Sequence, residues 1–372
     1  MKTRLSILIA ALWCAATCSY SQIFDPTGLI SHSQHGKVTT LGTGYSFTEG
    51  PAVDRHGNVF FTDQPNDKIY RWDAETGKIT LFLEGTGRAN GMAFDRHGDL
   101  ITCSDMHGEV WKIFPDGHHV VLVNNYNGKL LNGPNDVWIN PLTGGMYFTD
   151  PIFPRGYWDP GDPRQQAWPP THSEQAPVGK GGYVYYLPPG GTSLIRVTTE
   201  AMGWDSDGWP NGIVGTPDGR KLYVNKWSGD NKGGTWVFDI DADGTLSNMQ
   251  KFTEWGGDGM SMDNRGDIFI SNGLGVMGFD RKGNHILTIP VGTGAATNNT
   301  FALSDQDRRD RREGQDHRDR REGAFDREHR GDRDDDRGDR DDDRDDFDLL
   351  FITDGMGTVV GVKMNVTGAP SN

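Results

Sequence analysis

A six-bladed β-propeller is the fold class this sequence predicts, and three observations predict it. Short strand-like runs, each led by a polar residue, recur along the chain: Glu49 in TEGPAVD, Asn90 in ANGMAFD, Asn135 in PNDVWIN, Asn211 in PNGIVGT, Asp258 in GDGMSMD and Asn299 in NNTFALS. From Gly50 through Gly91, Asp136, Gly212 and Gly259 to Thr300 the steps are 41, 45, 76, 47 and 41 residues, blade lengths with one enlarged unit. Most units then repeat one order of signals. A turn such as DRHGN or DNRGD follows, then a second strand (VFFTD, LITCS, GMYFTD, KLYVN, IFISN, LLFITD). In most units a third strand comes next (KIYRWD, EVWKI, YVYYL, TWVFDI, VMGFD). Aromatic and β-branched runs between Asp-Gly or Asn-Gly turns read as short antiparallel strands. Finally, 51 Gly and 19 Pro in 372 residues suit a turn-dense all-β chain, and only the N-terminus holds a long apolar run.

Residues 1–21 have the layout of a cleaved secretory signal: Lys2 and Arg4, an apolar stretch over 5–16, then small and polar residues. That stretch is shorter than the roughly 20 residues a membrane span needs. The expectation is therefore an exported, periplasmic or secreted protein with no membrane span, whose single propeller domain covers 22–372. Cys14 and Cys18 leave with the signal. Only Cys103 remains, so no internal disulfide is expected and packing between blades must hold the ring.

The formal net charge is −15. Residues 305–346 hold 19 acidic and 13 basic side chains, a net of −6, which leaves −9 for the rest; neither part invites nucleic acid. With Phe325 as its one aromatic and no aliphatic larger than Ala, this Asp/Arg-rich insertion in the last blade is expected to be disordered. Asp332, Asp334 and Asp336 imitate the start of a calcium loop, but the Gly falls one place late and no Glu closes it. Asp239, Asp241 and Asp243 read better as a hairpin turn. In the enlarged third unit, 153–177 is rich in Pro and carries Tyr157, Trp158 and Trp168, which suits a lid offering apolar or sugar-stacking surface.

Inner propeller strands run along a central channel, so residues at their heads converge from blades far apart in sequence. Glu49 and Asp258 bring carboxylates; Asn90, Asn135, Asn211 and Asn299 bring neutral oxygens. Hard oxygen donors suit one divalent cation, Ca²⁺ foremost, with Mg²⁺, Mn²⁺ or Zn²⁺ as alternatives. Asn or Asp before Gly is often only a turn residue. Repetition at a matched position, with the acids limited to two, favours a ligand site. The TNNTF stretch can be registered with either Asn298 or Asn299 facing inward. His107 and His172 rank lower, as loop histidines, and no GxSxG elbow supplies a nucleophilic serine.

The strings EGPAVD with FFTD, NGPNDVW with GMYFTDP, WPNGI with PDGRKLYV, and GDGMSMDNRGDIFIS resemble the motifs of the gluconolactonase, regucalcin (senescence marker protein) and luciferin-regenerating enzyme family. The resemblance implies a metal-dependent lactonase: Glu49, Asn211 and Asp258 match the family's metal ligands, and Asn135 the asparagine facing metal and substrate. Asn90 follows the pattern of bacterial gluconolactonase-like members, and Arg88 beside it is placed to reach substrate oxygens. The expected substrate is a small sugar lactone, with Asp258 as the base that assists water attack. Two alternatives stand beside this reading: a related lactonase or phosphotriesterase acting on another electrophile, and a non-enzymatic propeller that binds calcium or carbohydrate.

Overall fold

The computed structural model describes residues 22–31, 37–151, 153, 182–204, 209–292, 294–302 and 348–369. The signal-like segment, the body of the expected lid with His172, and the Asp/Arg-rich insertion lie outside the described residues.

Six four-stranded antiparallel sheets form the blades of a propeller. Their inner strands are Thr48–Val53, Ala89–Phe94, Val137–Ile139, Trp209–Gly215, Met260–Met262 and Ala296–Ala302. Five sheets run outward in chain order. The sixth is completed by Thr39–Thr43 pairing with Thr358–Lys363, so the start of the chain closes the ring against its end. This closure ties the two ends of the ring together through a ladder of backbone bonds. Among the described residues Cys103 is a buried free thiol, and burial pushes its pKa well up.

The core lies between blades, where apolar second and third strands face one another. Phe61 and Trp72 of blade one meet Phe351 of blade six, and Tyr147, Tyr185 and Phe148 pack with Trp204 and Phe238 across blades three and four. The Asp239–Asp243 run is a hairpin turn, with Gly244 N–H donating to Asp241 O at 2.9 Å.

Chain direction sorts the loops onto two faces. Each inner strand starts at one face, and the second strand returns to it. The carboxylates that end several second strands pin the loops there. Asp63 accepts from the Ser46 and Phe47 amides, Asp150 from those of Asn132 and Gly133, and Asp354 from those of Met356 and Thr358. These repeated acids are thus structural. The ends of the 303–347 segment, Ala302 and Leu349, pair at the opposite face.

Candidate active site at the heads of the inner strands

The inner strands do not enter their sheets smoothly. Pairing registers break between Glu49 and Ala52, Ala89 and Met92, Pro210 and Ile213, and Ala296 and Asn298. Such bulges re-aim side chains, and here they fall at the predicted site positions. Glu49, Asn90, Asn135 and Asn211 are all buried, and Asp258 is half-buried.

Backbone contacts join these heads into a hoop. Gly91 N–H donates to Asn135 O at 2.7 Å, the Thr149 hydroxyl to Asn211 O at 2.7 Å, and Gly259 N–H to Thr297 O at 2.6 Å. The Thr297 hydroxyl then reaches Thr48 O at 2.7 Å. Glycine makes this approach possible. Gly50 has φ +50°, and a Cβ there would sit 1.9 Å from Asn90 O; one on Gly259 would sit 1.8 Å from Asn298 Cγ.

Two side chains fill the space left at Gly259 and Gly91, where a Cβ would meet Asn298 and Asp136. Asn298 donates its amide to Glu49 Oε2 at 3.1 Å and also hydrogen-bonds the Asp136 carboxyl. Asp136 further accepts from the Val137 N–H at 2.9 Å and from the Ile213 N–H. Burial, and next the nearby charge of Glu49, push the Asp136 pKa up to about 8, so it holds its proton near neutral pH. Sequence reasoning missed Asp136 as a site residue. Its signal was its place in the pattern: the equivalent residue is glycine after Glu49, Asn90, Asn211 and Asp258.

The sixth blade corrects one assignment. Asn298, and not Asn299, turns into the channel. The Asn299 amide donates to Ser271 Oγ at 2.8 Å and to Phe269 O, and its oxygen accepts from the Ser261 hydroxyl. That side chain ties blades five and six together and is not placed to bind substrate. The bulge between Ala296 and Asn298 shifts the register, which TNNTF alone could not reveal.

Arg88 stands at the rim with φ +54°, its amide held by Asp67 Oδ1 at 2.7 Å. His107 is exposed, stacks on Trp111 with ring centroids 6.1 Å apart and lies beside Gly87, where a Cβ would come within 2.9 Å of its Cδ2. Phe153, the described residue of the expected lid, stacks on Trp209 at 5.3 Å and meets Trp227 edge-on at 5.7 Å, an aromatic wall on the same face.

The donor chemistry fits a hard divalent cation. Among the described residues no three His, Cys, Asp or Glu side chains cluster; the strand heads carry two carboxylates, Glu49 and Asp258, beside amide oxygens. The buried Asn90 Oδ1 has no hydrogen-bond partner, an orphaned acceptor of the kind that a bound ion, water or substrate hydroxyl satisfies.

With this geometry in place, the match to known proteins is specific. Residues 47–309 match the SMP-30/Gluconolactonase/LRE-like region. The chain belongs to this family. A gluconolactonase from Zymomonas mobilis is 26% identical over 271 residues, which cover 66% of this chain and 70% of that protein. The structure of a gluconolactonase from Xanthomonas campestris superposes with a TM-score of 0.63 at 25% identity, covering 90% of this chain and 94% of the other. A calcium-binding regucalcin from Agrobacterium tumefaciens shares the fold, with a TM-score of 0.61 at 15% identity over 90% of this chain and 95% of its own. Membership of the gluconolactonase-like family supports a lactonase function for the chain.

Proposed function

We propose that this protein is a metal-dependent lactonase that opens the ester ring of a sugar lactone. The observation that supports the reading is the hoop itself: contacts between neighbouring blades join the strand heads that carry Glu49, Asn90, Asn135, Asn211 and Asp258. Glu49, Asn211 and Asp258 would hold one divalent cation, Ca²⁺ foremost. When bound, such an ion polarises the ring carbonyl and stabilises the oxyanion.

The chain's own residues do the rest. Asp258, the more exposed of the two acids, accepts a proton from the attacking water. Asn135 and Asn90 hydrogen-bond substrate hydroxyls, and the orphaned Asn90 oxygen gains a donor there. The protonated Asp136 and the Asn298 amide form the floor, where Asn298 holds Glu49 in orientation from below. Arg88 and the Phe153, Trp209 and Trp227 wall flank the entrance, the aromatic faces suiting the apolar face of a sugar ring.

The deciding experiment is pH-stat hydrolysis of an aldonolactone panel by chelated protein, with Ca²⁺, Mg²⁺, Mn²⁺ and Zn²⁺ restored in turn and a phosphotriester included. Lactone turnover that returns with a cation supports the reading. Undiminished turnover after full chelation, or turnover of the phosphotriester alone, overturns it. Export belongs to the same proposal: residues 1–21 are removed, and the mature N-terminus lies near Gln22, which intact-mass measurement of the exported protein checks.

A further inference from the structure

Two of the three proposed cation ligands sit on adjoining inner strands, Asn211 in blade four and Asp258 in blade five. The side chain that joins those strands is Asn225. It lies in the second strand of blade four, Lys221–Trp227, and is fully buried. Its Oδ1 accepts from the Gly212 N–H at 3.0 Å, and its Nδ2 donates to Asp258 O at 2.8 Å. Both groups lack a ladder partner for a stated reason. The pairing of Trp209–Gly215 skips from Pro210 to Ile213, and Asp258 lies outside the paired strand Met260–Met262. The contact is close: a Cβ on Gly212 would fall 2.2 Å from Asp258 O and 2.9 Å from Asn225 Nδ2.

The comparable positions elsewhere mark Asn225 as different. Second strands carry Thr62, Cys103, Thr149, Ser271 and Thr353 there, so Asn225 is the one amide among the six. A hydroxyl can serve both strands from one oxygen, and Thr149 does so, accepting from the Asp136 N–H at 3.1 Å and donating to Asn211 O at 2.7 Å; Asn225 does it with two separate atoms. The buried Thr62 hydroxyl, by contrast, has no hydrogen-bond partner. The Asn211 and Asp258 strands are therefore held from both sides, and the Glu49 strand is not held through this position.

We infer that Asn225, assisted by Thr149, is a positioning residue that sets the separation of Asn211 and Asp258 and thereby the affinity of the site for a divalent cation. The inference rests on the metal reading of the site given above. Outer partners that orient metal ligands typically change affinity by about 10–100-fold when lost. Asn225→Val keeps a strand-forming residue and satisfies neither the Gly212 N–H nor Asp258 O.

The test is calorimetric titration of Ca²⁺ into chelated wild type, N225V, T149V and T62V, with thermal unfolding of each metal-free protein recorded beside it. The expected result is a Ca²⁺ Kd raised by roughly 10–100-fold in N225V and by less in T149V. T62V, at the matched position of blade one, binds as the wild type does. A folded N225V with wild-type Ca²⁺ affinity overturns the inference whatever its melting temperature. If N225V does not fold, an unchanged Kd in T149V overturns it instead. A wild type that binds none of Ca²⁺, Mg²⁺, Mn²⁺ or Zn²⁺ overturns the metal reading, and the inference falls with it.

Discussion

The two ends of the central channel are built from the same inner strands, yet only one gathers the polar strand heads proposed to carry chemistry. At the site end the strand heads are bulged, polar and bonded to one another across blades. At the far end the same strands run regularly, and their apolar residues line a cavity of about 520 Å³ whose walls include Ala52, Met92, Ile213, Met262 and Phe301. Asp136 and Asn298 separate the two, forming the floor of one and the deepest polar surface of the other. Regular strand pairing buries alternate side chains and leaves the channel wall apolar, whereas a bulge frees a residue to point along the axis. The residues proposed to function thus lie where the ladder is broken or has not yet begun.

Breaking the floor between the ends gives the largest effect. Gly259→Val places branched carbon where Asn298 Cγ already lies within 1.8 Å of a Cβ, and Asn298 cannot move without releasing Glu49. A loss of more than about 4 kcal/mol is expected, because backbone and buried amides cannot retreat. Urea unfolding measures it, and a variant within 1 RT (about 0.6 kcal/mol) of wild type would show the floor to be soft. Next comes Asp258→Asn, which keeps an oxygen ligand but removes the base. Lactone kcat falls about 10²–10⁴-fold while the cation stays bound. Full activity with metal retained disproves the role given to Asp258.

The ring was legible because its signals are local and repeated: blade-length spacing, Asp-Gly and Asn-Gly turns, and second strands ending in Thr-Asp. The candidate site was legible in part. Glu49, Asn90, Asn135, Asn211 and Asp258 all lie at strand heads, where the pattern put them. What escaped depends on register and on contacts between blades. Asn298 and Asn299 are neighbours of one type, and only the bulge after Ala296 decides which enters the channel. Asp136 hid as the exception among glycines. Asn225 hid inside KLYVN, since nothing in a strand's own sequence tells which neighbouring carbonyl its side chain will meet.

A smaller effect separates the floor from the acids above it. Asp136 has an ordinary value of 3.8 that the fold raises to about 8. Between those values the unfolded chain has lost this proton and the folded protein keeps it. Stability of the metal-free protein therefore falls as pH rises through that window, with a slope of up to about 1.4 kcal/mol per pH unit from this group. Asp136→Asn removes the slope and is more stable than wild type at pH near 8. Urea unfolding of chelated protein across the window checks the sign, and a wild-type stability that rises with pH by that amount contradicts it.

The smallest effect is expected at the far mouth, and it tests whether the two ends are independent. Ala93 lines the far cavity, beyond the Asp136 and Asn298 floor. Ala93 is half-buried and also packs against the core shared by blades two and three, so Ala93→Leu adds bulk at its cavity side without touching the bonds that hold the strand heads. Stability should fall by about 1 kcal/mol, the low end of the cost of added bulk beside a packed core. Because the added carbons face away from Glu49 and Asp258, kcat and KM for the lactone should both stay at wild-type values. A fall in kcat/KM of about tenfold, equivalent to about 1.4 kcal/mol of transition-state stabilisation, would mean that bulk at the far mouth reaches the reacting groups through the floor. The channel would then work as one unit, and the polar floor would transmit strain to the site instead of isolating it.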